Sequence, residues 1–437
     1  MNDALQRFAW VDALLSNWDG IRVRVGMAGP AFVRDVDRLA GALAAARESD
    51  AIAILVDRLL DLLDGTAASD YVRDLLRRAD ISGAGVSRGA IGDVAADVPA
   101  TEALLRSASA LAQVSVTETT FRTVPVYFAT NRAVDPERRG GDRFGGVYAN
   151  EVTYGRADVT IPGHHRIGKL ESPRLGLPDK DRHVIVDSVH EWAQASFATA
   201  LGQAARQAAA PEVLVFVHGY YVTFEEAARR AAQFTADMGF GGVVVLFSWP
   251  SAGAFAGYFA DEDSAAKSAR ALGTFLRALE GGPWTRVHIV AHSMGNRVVV
   301  TGISSDPARA LPLANVVLVA GDIDVGLFEQ QFPTLRDAVR PDPTHAITSY
   351  ATNSDRALWM SRLFHRTVRL GGISGDPCVL DGLETIDATS VDSSLLGHSY
   401  FGQERSVLTD LGLLVRQGLR PEARGLRAIG RWWTFPS

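Results

Sequence analysis

RVHIVAHSMGN, residues 286–296, changes character at its middle: the β-branched run RVHIV gives way at Ser293 to a helix-type start at Met294. A serine on a sharp strand-to-helix turn holds its Oγ out above the sheet, and small neighbours let the two elements approach. Gly295 and Ala291 are those small residues, with Ala291 standing where such turns usually carry glycine. The start of the helix adds partial positive charge beside the hydroxyl. Ser293 would also suit a plain N-cap, where serine is favoured. The strand before it, the helix after it and His292 beside it favour a nucleophile.

A nucleophilic serine acting on an acyl group needs donors for the charge that develops on the carbonyl oxygen. The amide of Met294, directly after the serine, is one expected donor. The segment VLVFVHGYY (213–221) ends a buried-type strand in His218 and Gly219, and the glycine lets the backbone turn and expose the next amide. Tyr220 is therefore the expected second donor, with Tyr221 as substitute. His218 reads as a hydrogen-bonding residue beneath the loop. Thr223 and Glu226 have the spacing of a capping box that starts the next helix.

Outward from this turn, strands and helices alternate. Short, nearly all-apolar runs occur at 124–130, 183–189, 213–217, 243–249, 286–292, 315–321, 346–352 and 384–389. Helical patterns follow at 223–238, 262–280, 294–303, 325–339, 355–365 and 403–417. Such alternation implies a mostly parallel sheet flanked by helices, an α/β architecture. The Gly-, Arg- and Pro-rich section 132–182 reads as hairpins and loops. Residues 1–115 read differently, as an additional helical region: Val33, Val36, Leu39 and Leu43 recur at helical spacing, and a Gly/Ala-rich linker lies near 81–100. The catalytic domain is expected over 120–437.

Bulk properties narrow the classes. At 437 residues the length prior is two or three domains of about 150 residues. A formal charge of −6 argues against a nucleic-acid partner, which needs surplus Lys and Arg. The one cysteine, Cys378, excludes an intrachain disulfide and Cys-rich zinc sites. The N-terminal stretch lacks a basic region followed by an apolar run, and no apolar segment reaches the roughly 18 residues of a membrane span. A cytoplasmic protein with no transmembrane segment is the expectation; oligomeric state is left open.

From about Val124 to Leu411 the chain resembles DUF900, a bacterial family of α/β hydrolases of unknown function whose members look like esterases or lipases. The segments that carry the resemblance are PVYFATNR (125–132), YGRADVTIPGHHRIGKLESP (154–173), VFVHGY (215–220) and FSWPSAG (247–253). They continue with YFADEDSA (258–265), HIVAHSMGN (288–296), VAGDIDVGLF (319–328), NSDRAL (353–358) and GHSYF (397–401). The resemblance implies the α/β-hydrolase fold and a triad running Ser, then acid, then His along the chain. His345, His365 and His398 follow the serine. His398 lies in the GHSYF element, after the last strand and before the last helix, and is the expected base. The acid is Asp355, in NSDRAL, or alternatively Asp322, one strand-helix unit earlier; chain order and the family pattern favour Asp355.

Trp249, Tyr258 and Tyr400 are candidates for a substrate pocket. The tail 426–435, apolar and basic, is expected to dock on its own domain. The expected function is a serine carboxylesterase acting on a small-molecule ester or lipid, with no metal or cofactor. A lipase, phospholipase or amidase with the N-terminal helices as lid or recruitment module, and a non-catalytic interaction protein on the same scaffold, are the alternatives.

Overall fold

Strands made almost wholly of Val, Leu, Ile, Phe and Ala can sit only where both their faces are covered. Such runs form the middle of one sheet here. The computed structural model describes residues 121–172, 178–251, 258–307, 310–353, 367–391 and 405–436. The helical region expected at 1–115, its linker and the helix expected at 355–365 lie outside them.

The strands are β1 (Phe121–Val134), β2 (Phe144–Pro162), β3 (Ile185–Trp192), β4 (Glu212–Val217), β5 (Val243–Ser248) and β6 (Arg286–His292). They continue as β7 (Leu313–Val319), β8 (Ala346–Ala351), β9 (Leu383–Asp387), β10 (Arg427–Ile429) and β11 (Trp432–Thr434). The helices between them are α1 (Gln194–Gln207), α2 (Phe224–Asp237), α3 (Tyr258–Ala278), α4 (Gly295–Ser305), α5 (Val325–Ala338) and α6 (Arg405–Gln417). One sheet holds all eleven strands in the order β10-β11-β9-β8-β7-β6-β4-β5-β1-β2-β3. Pairings from β1 through β5, β4, β6, β7, β8 and β9 to β11 are parallel, and β1–β2, β2–β3 and β10–β11 are antiparallel.

Alternation along the central strands divides the core into two layers. β4 sends Val213, Val215 and Val217 into one apolar cluster, with Phe247, Ile289 and Leu318. It sends Leu214 and Phe216 into the other, with Phe234, Leu411 and Tyr350. The first layer lies under α1, α3 and α4, and the second under α2 and α6.

The section expected as hairpins and loops does pair as hairpins, β2 antiparallel with β1 before it and with β3 after it. β2 is a 19-residue strand paired antiparallel with β1 over most of its length. Its half-exposed, glycine-interrupted sequence hides the period, yet a Cβ at Gly155 would lie 2.1 Å from the His190 carbonyl and 2.5 Å from the Phe128 ring. That glycine lets β3 and the core close over β2. Helix α1 was also not legible. The tail does dock on its own domain, as β10 and β11, with Trp433 opposite Ile386 of β9. No described helix is long and apolar enough to cross a membrane.

The strand order sets which loops lie together. From β4 the chain passes through α2 to β5 on one side, whereas from β6 it passes through α4 to β7 on the other. β4 and β6 are neighbours, with Val217 opposite Ala291. Loops leaving adjacent parallel strands in opposite directions open a crevice at the carboxyl ends.

Candidate active site

Three non-glycine residues among those described have positive φ: Tyr221 at 60°, Ser293 at 52° and Ala320 at 48°. They follow β4, β6 and β7, which are adjacent in the sheet. Left-handed backbone is unfavourable for a residue with a Cβ and persists only where its surroundings enforce it. Here the strain gathers at the carboxyl ends of three adjacent strands.

The surroundings of Ser293 are specific. Its amide donates to the Val319 carbonyl at 2.9 Å, and its own carbonyl accepts from the amides of Asn296 and Asp322, each at 3.1 Å. The Asn296 side-chain amide adds bonds to the carbonyls of Ser293 (2.8 Å), Val319 (3.1 Å) and Ala291 (3.3 Å). Gly295 permits the approach of α4 to β4: a Cβ there would stand 2.5 Å from the His218 carbonyl and 2.8 Å from that of Val217. Met294 caps α4, so its amide lies in the first turn, beside the serine.

In the loop after β4, a Cβ on Gly219 would lie 2.9 Å from Ser293 Cβ and 2.9 Å from His292 Nδ1. This loop therefore runs directly against the serine. Its later amides are engaged: Tyr221 donates to Asp261 Oδ2 at 3.3 Å, Val222 to Ser251 Oγ at 3.2 Å and Thr223 to Glu226 Oε2 at 2.9 Å. Tyr221, the substitute for Tyr220, thus has its amide turned to Asp261. The capping box expected at Thr223 and Glu226 is present in both halves.

His218 lies beneath the loop, buried, with Nδ1 2.7 Å from the Gly219 carbonyl and Nε2 3.2 Å from Ser248 Oγ. Burial, and next the Arg132 cation, push its pKa down to about 3, so the ring is neutral. Trp249, expected at a substrate pocket, is fully buried instead. Its ring stacks on His218 at 5.2 Å and its Nε1 donates to the His218 carbonyl at 2.7 Å. The reason is its place directly after β5, where an apolar ring fills the first core layer.

Asp322 is buried at the end of β7, and its carboxylate lies 3.4 Å from Arg369 Nε. Asp355, His398 and Tyr400 lie outside the described residues, as does the side chain of Tyr258. Three contributors were not anticipated: Asn296, Asp261 and Arg132. Asn296 falls inside the quoted turn, and Asp261 is one acidic residue among several. Arg132 had a visible signal, a cation closing an apolar strand, since arginine is rarely buried without a purpose.

A family model described as "Alpha/beta hydrolase of unknown function (DUF900)" matches residues 193–416. A search of curated proteins finds no match. Among solved structures, the chain is similar to YbtT, a type II thioesterase from the yersiniabactin NRPS/PKS biosynthetic pathway. Identity is 15%, with 48% of this chain and 96% of that one covered and a TM-score of 0.27. It is also similar to a hyperthermophilic esterase from the archaeon Pyrobaculum calidifontis, at 12% identity, with 80% and 99% covered and a TM-score of 0.28.

Proposed function

The chain belongs to the DUF900 family of α/β hydrolases, and on that basis we propose that it is a serine hydrolase cleaving carboxylic esters through an acyl-enzyme on Ser293. The observation that carries the proposal is Ser293 itself, held at φ 52° on the β6–α4 turn and faced by the loop after β4.

In this reading His398 removes the Ser293 proton as Oγ attacks the ester carbonyl carbon. The oxyanion accepts bonds from the amides of Tyr220 and Met294. Collapse expels the alcohol, which takes the proton from the imidazolium. Water, deprotonated by His398, then attacks the acyl-enzyme, and the imidazolium returns that proton to Ser293 Oγ as the acid leaves. Asp355 orients His398 and stabilises its cation; the ion pair of Asp322 with Arg369 supports giving Asp355 that role. Tyr258 and Tyr400 remain the pocket candidates.

Labelling with a small fluorophosphonate tests the proposal, because Ser293 is fully buried here and a bulky probe would report access instead of chemistry. The wild type is expected to label, and Ser293→Ala and His398→Ala are expected not to. Equal labelling of Ser293→Ala and wild type would overturn the assignment. Asp355→Asn and Asp322→Asn, compared on ester turnover, decide the acid: the larger loss, about 10⁴-fold for a triad acid, is expected at Asp355.

A further inference from the structure

We infer that Arg132 is a positioning residue for this site, acting through His218 to fix the peptide that presents the Tyr220 amide. The inference rests on the serine-hydrolase reading for its consequence, though not for its geometry.

Arg132, in β1, is buried, and its guanidinium has five N–H donors. Each has an acceptor. Nε donates to Ser248 Oγ at 2.9 Å, and Nη1 to the carbonyls of Gly145 at 3.0 Å and Ser251 at 3.1 Å. Nη2 donates to the Val222 carbonyl at 2.7 Å and meets His218 Nε2 at 3.3 Å. No carboxylate is within ion-pair distance of it among the described residues; Asp261 of α3 and Glu226 of α2 act on it only through space. Burial brings its pKa down to about 9, which leaves it cationic at neutral pH. A buried cation satisfied mainly by carbonyls ties together the start of β2, the exit of β5 and the loop after β4.

Its contact with His218 goes further than bracing. A guanidinium has no lone pair to offer, so His218 Nε2 can meet it only as an acceptor. Ser248 Oγ, 3.2 Å from the same nitrogen, can donate to it as well, so both Nε2 contacts are met with the ring proton on Nδ1. Nδ1 lies 2.7 Å from the Gly219 carbonyl and donates to it. That carbonyl belongs to the Gly219–Tyr220 peptide, a trans peptide like every other described one. In a trans peptide the C=O and N–H point in opposite directions. Holding the carbonyl on the imidazole therefore turns the Tyr220 N–H to the opposite face. With the other tautomer, the Nδ1 lone pair would face the carbonyl at 2.7 Å and drive the peptide away. Arg132 is the charge that acts on the ring, Asp261 and Glu226 act in turn on Arg132, and His292 lies across Gly219. Arg132 alone among them touches His218 Nε2.

Two readouts on the full-length chain test this. Long-range ¹H–¹⁵N spectra of histidine-labelled protein read the tautomer without reference to activity. Wild-type His218 is expected as the neutral Nδ1–H form at pH 5 and at pH 7, and an Nε2–H form, or an imidazolium at pH 5, overturns the inference. The second readout is turnover of p-nitrophenyl acetate by Arg132→Met, His218→Ala and the double variant. Arg132→Met is expected to lower kcat by about 10²-fold, as for loss of one oxyanion donor, with KM moved less than about threefold. In the double variant the losses are expected not to multiply, because both act through one peptide. A double loss equal to the product of the singles, or a loss carried by KM alone, overturns it. If Arg132→Met does not fold, Arg132→Lys is read in the same cycle, with the same two outcomes. A wild type with the expected tautomer but no turnover and no labelling would remove the hydrolase reading and leave the positioning geometry standing.

Discussion

At residue scale, the turn that holds Ser293 has a backbone cost. A Cβ at φ 52° costs on the order of 1 kcal/mol relative to glycine, which adopts that conformation freely. Ser293→Gly and Ser293→Ala both lack the hydroxyl, yet the glycine variant is expected to be more stable than the alanine variant by about 1 kcal/mol. Paired thermal melts measure it, and equal stabilities would mean that the turn relaxes in solution. The strand-to-helix turn at Ser293 was readable in advance because strand, small residue and helix start adjoin along the chain. For Trp249 the sequence shows an aromatic leaving a strand and not which way its ring turns. Only the neighbouring His218, brought in from β4, decides that. Arg132 stayed hidden for the same reason: its five acceptors come from segments up to 119 residues away.

At the scale of elements, the turn after β2 is fastened to α2 by one histidine between two carboxylates. His165 Nδ1 lies 2.7 Å from Glu171 and Nε2 2.8 Å from Asp237, which also accepts the Gly168 amide at 2.7 Å. Burial opposes the imidazolium, but the hydrogen bonds and charges of Asp237 and Glu171 outweigh it and raise the His165 pKa. Burial also opposes the Asp237 carboxylate, and bonding to His165, Gly168 and Gln233 outweighs that and lowers its pKa. A raised histidine contributes stability that is complete below its unfolded value of about 6.5 and is lost as pH rises through the folded one. The lowered aspartate contributes above its unfolded value of about 3.9 and fails as pH falls through its folded one. The staple is thus strongest between those limits. The Tm difference between wild type and His165→Gln is expected to be largest near pH 6 and to shrink toward alkaline pH. A difference that does not change up to pH 9 would show that the histidine is neutral. None of this was legible in a section read as hairpins and loops. The period of β2 is masked by glycines and by a half-exposed face, whereas β4 to β8, buried on both sides, announced themselves through composition alone.

For the whole molecule, the described sheet is continuous from β10 to β3, with an apolar layer on each face. A chain of residues 121–437 is accordingly expected to melt cooperatively and to keep fluorophosphonate labelling at Ser293. Loss of labelling with folding intact would make residues 1–120 part of the site. The alternation of strands and helices made the parallel sheet legible, but neither the antiparallel β1–β2–β3 edge nor the opposite edge could be placed, since pairing across long separations leaves no local pattern. That opposite edge has a further consequence. On the ribosome, β6, β7, β8 and β9 emerge in the order in which they sit side by side, so each strand finds its neighbour already in place. β9 does not: its outer row of amides and carbonyls waits for β11, whose residues are made only after α6. Synthesis at roughly 5–20 residues per second leaves that edge open for some seconds. During that interval a nascent chain, or any product that stops short of Trp432, presents a ready template for another strand.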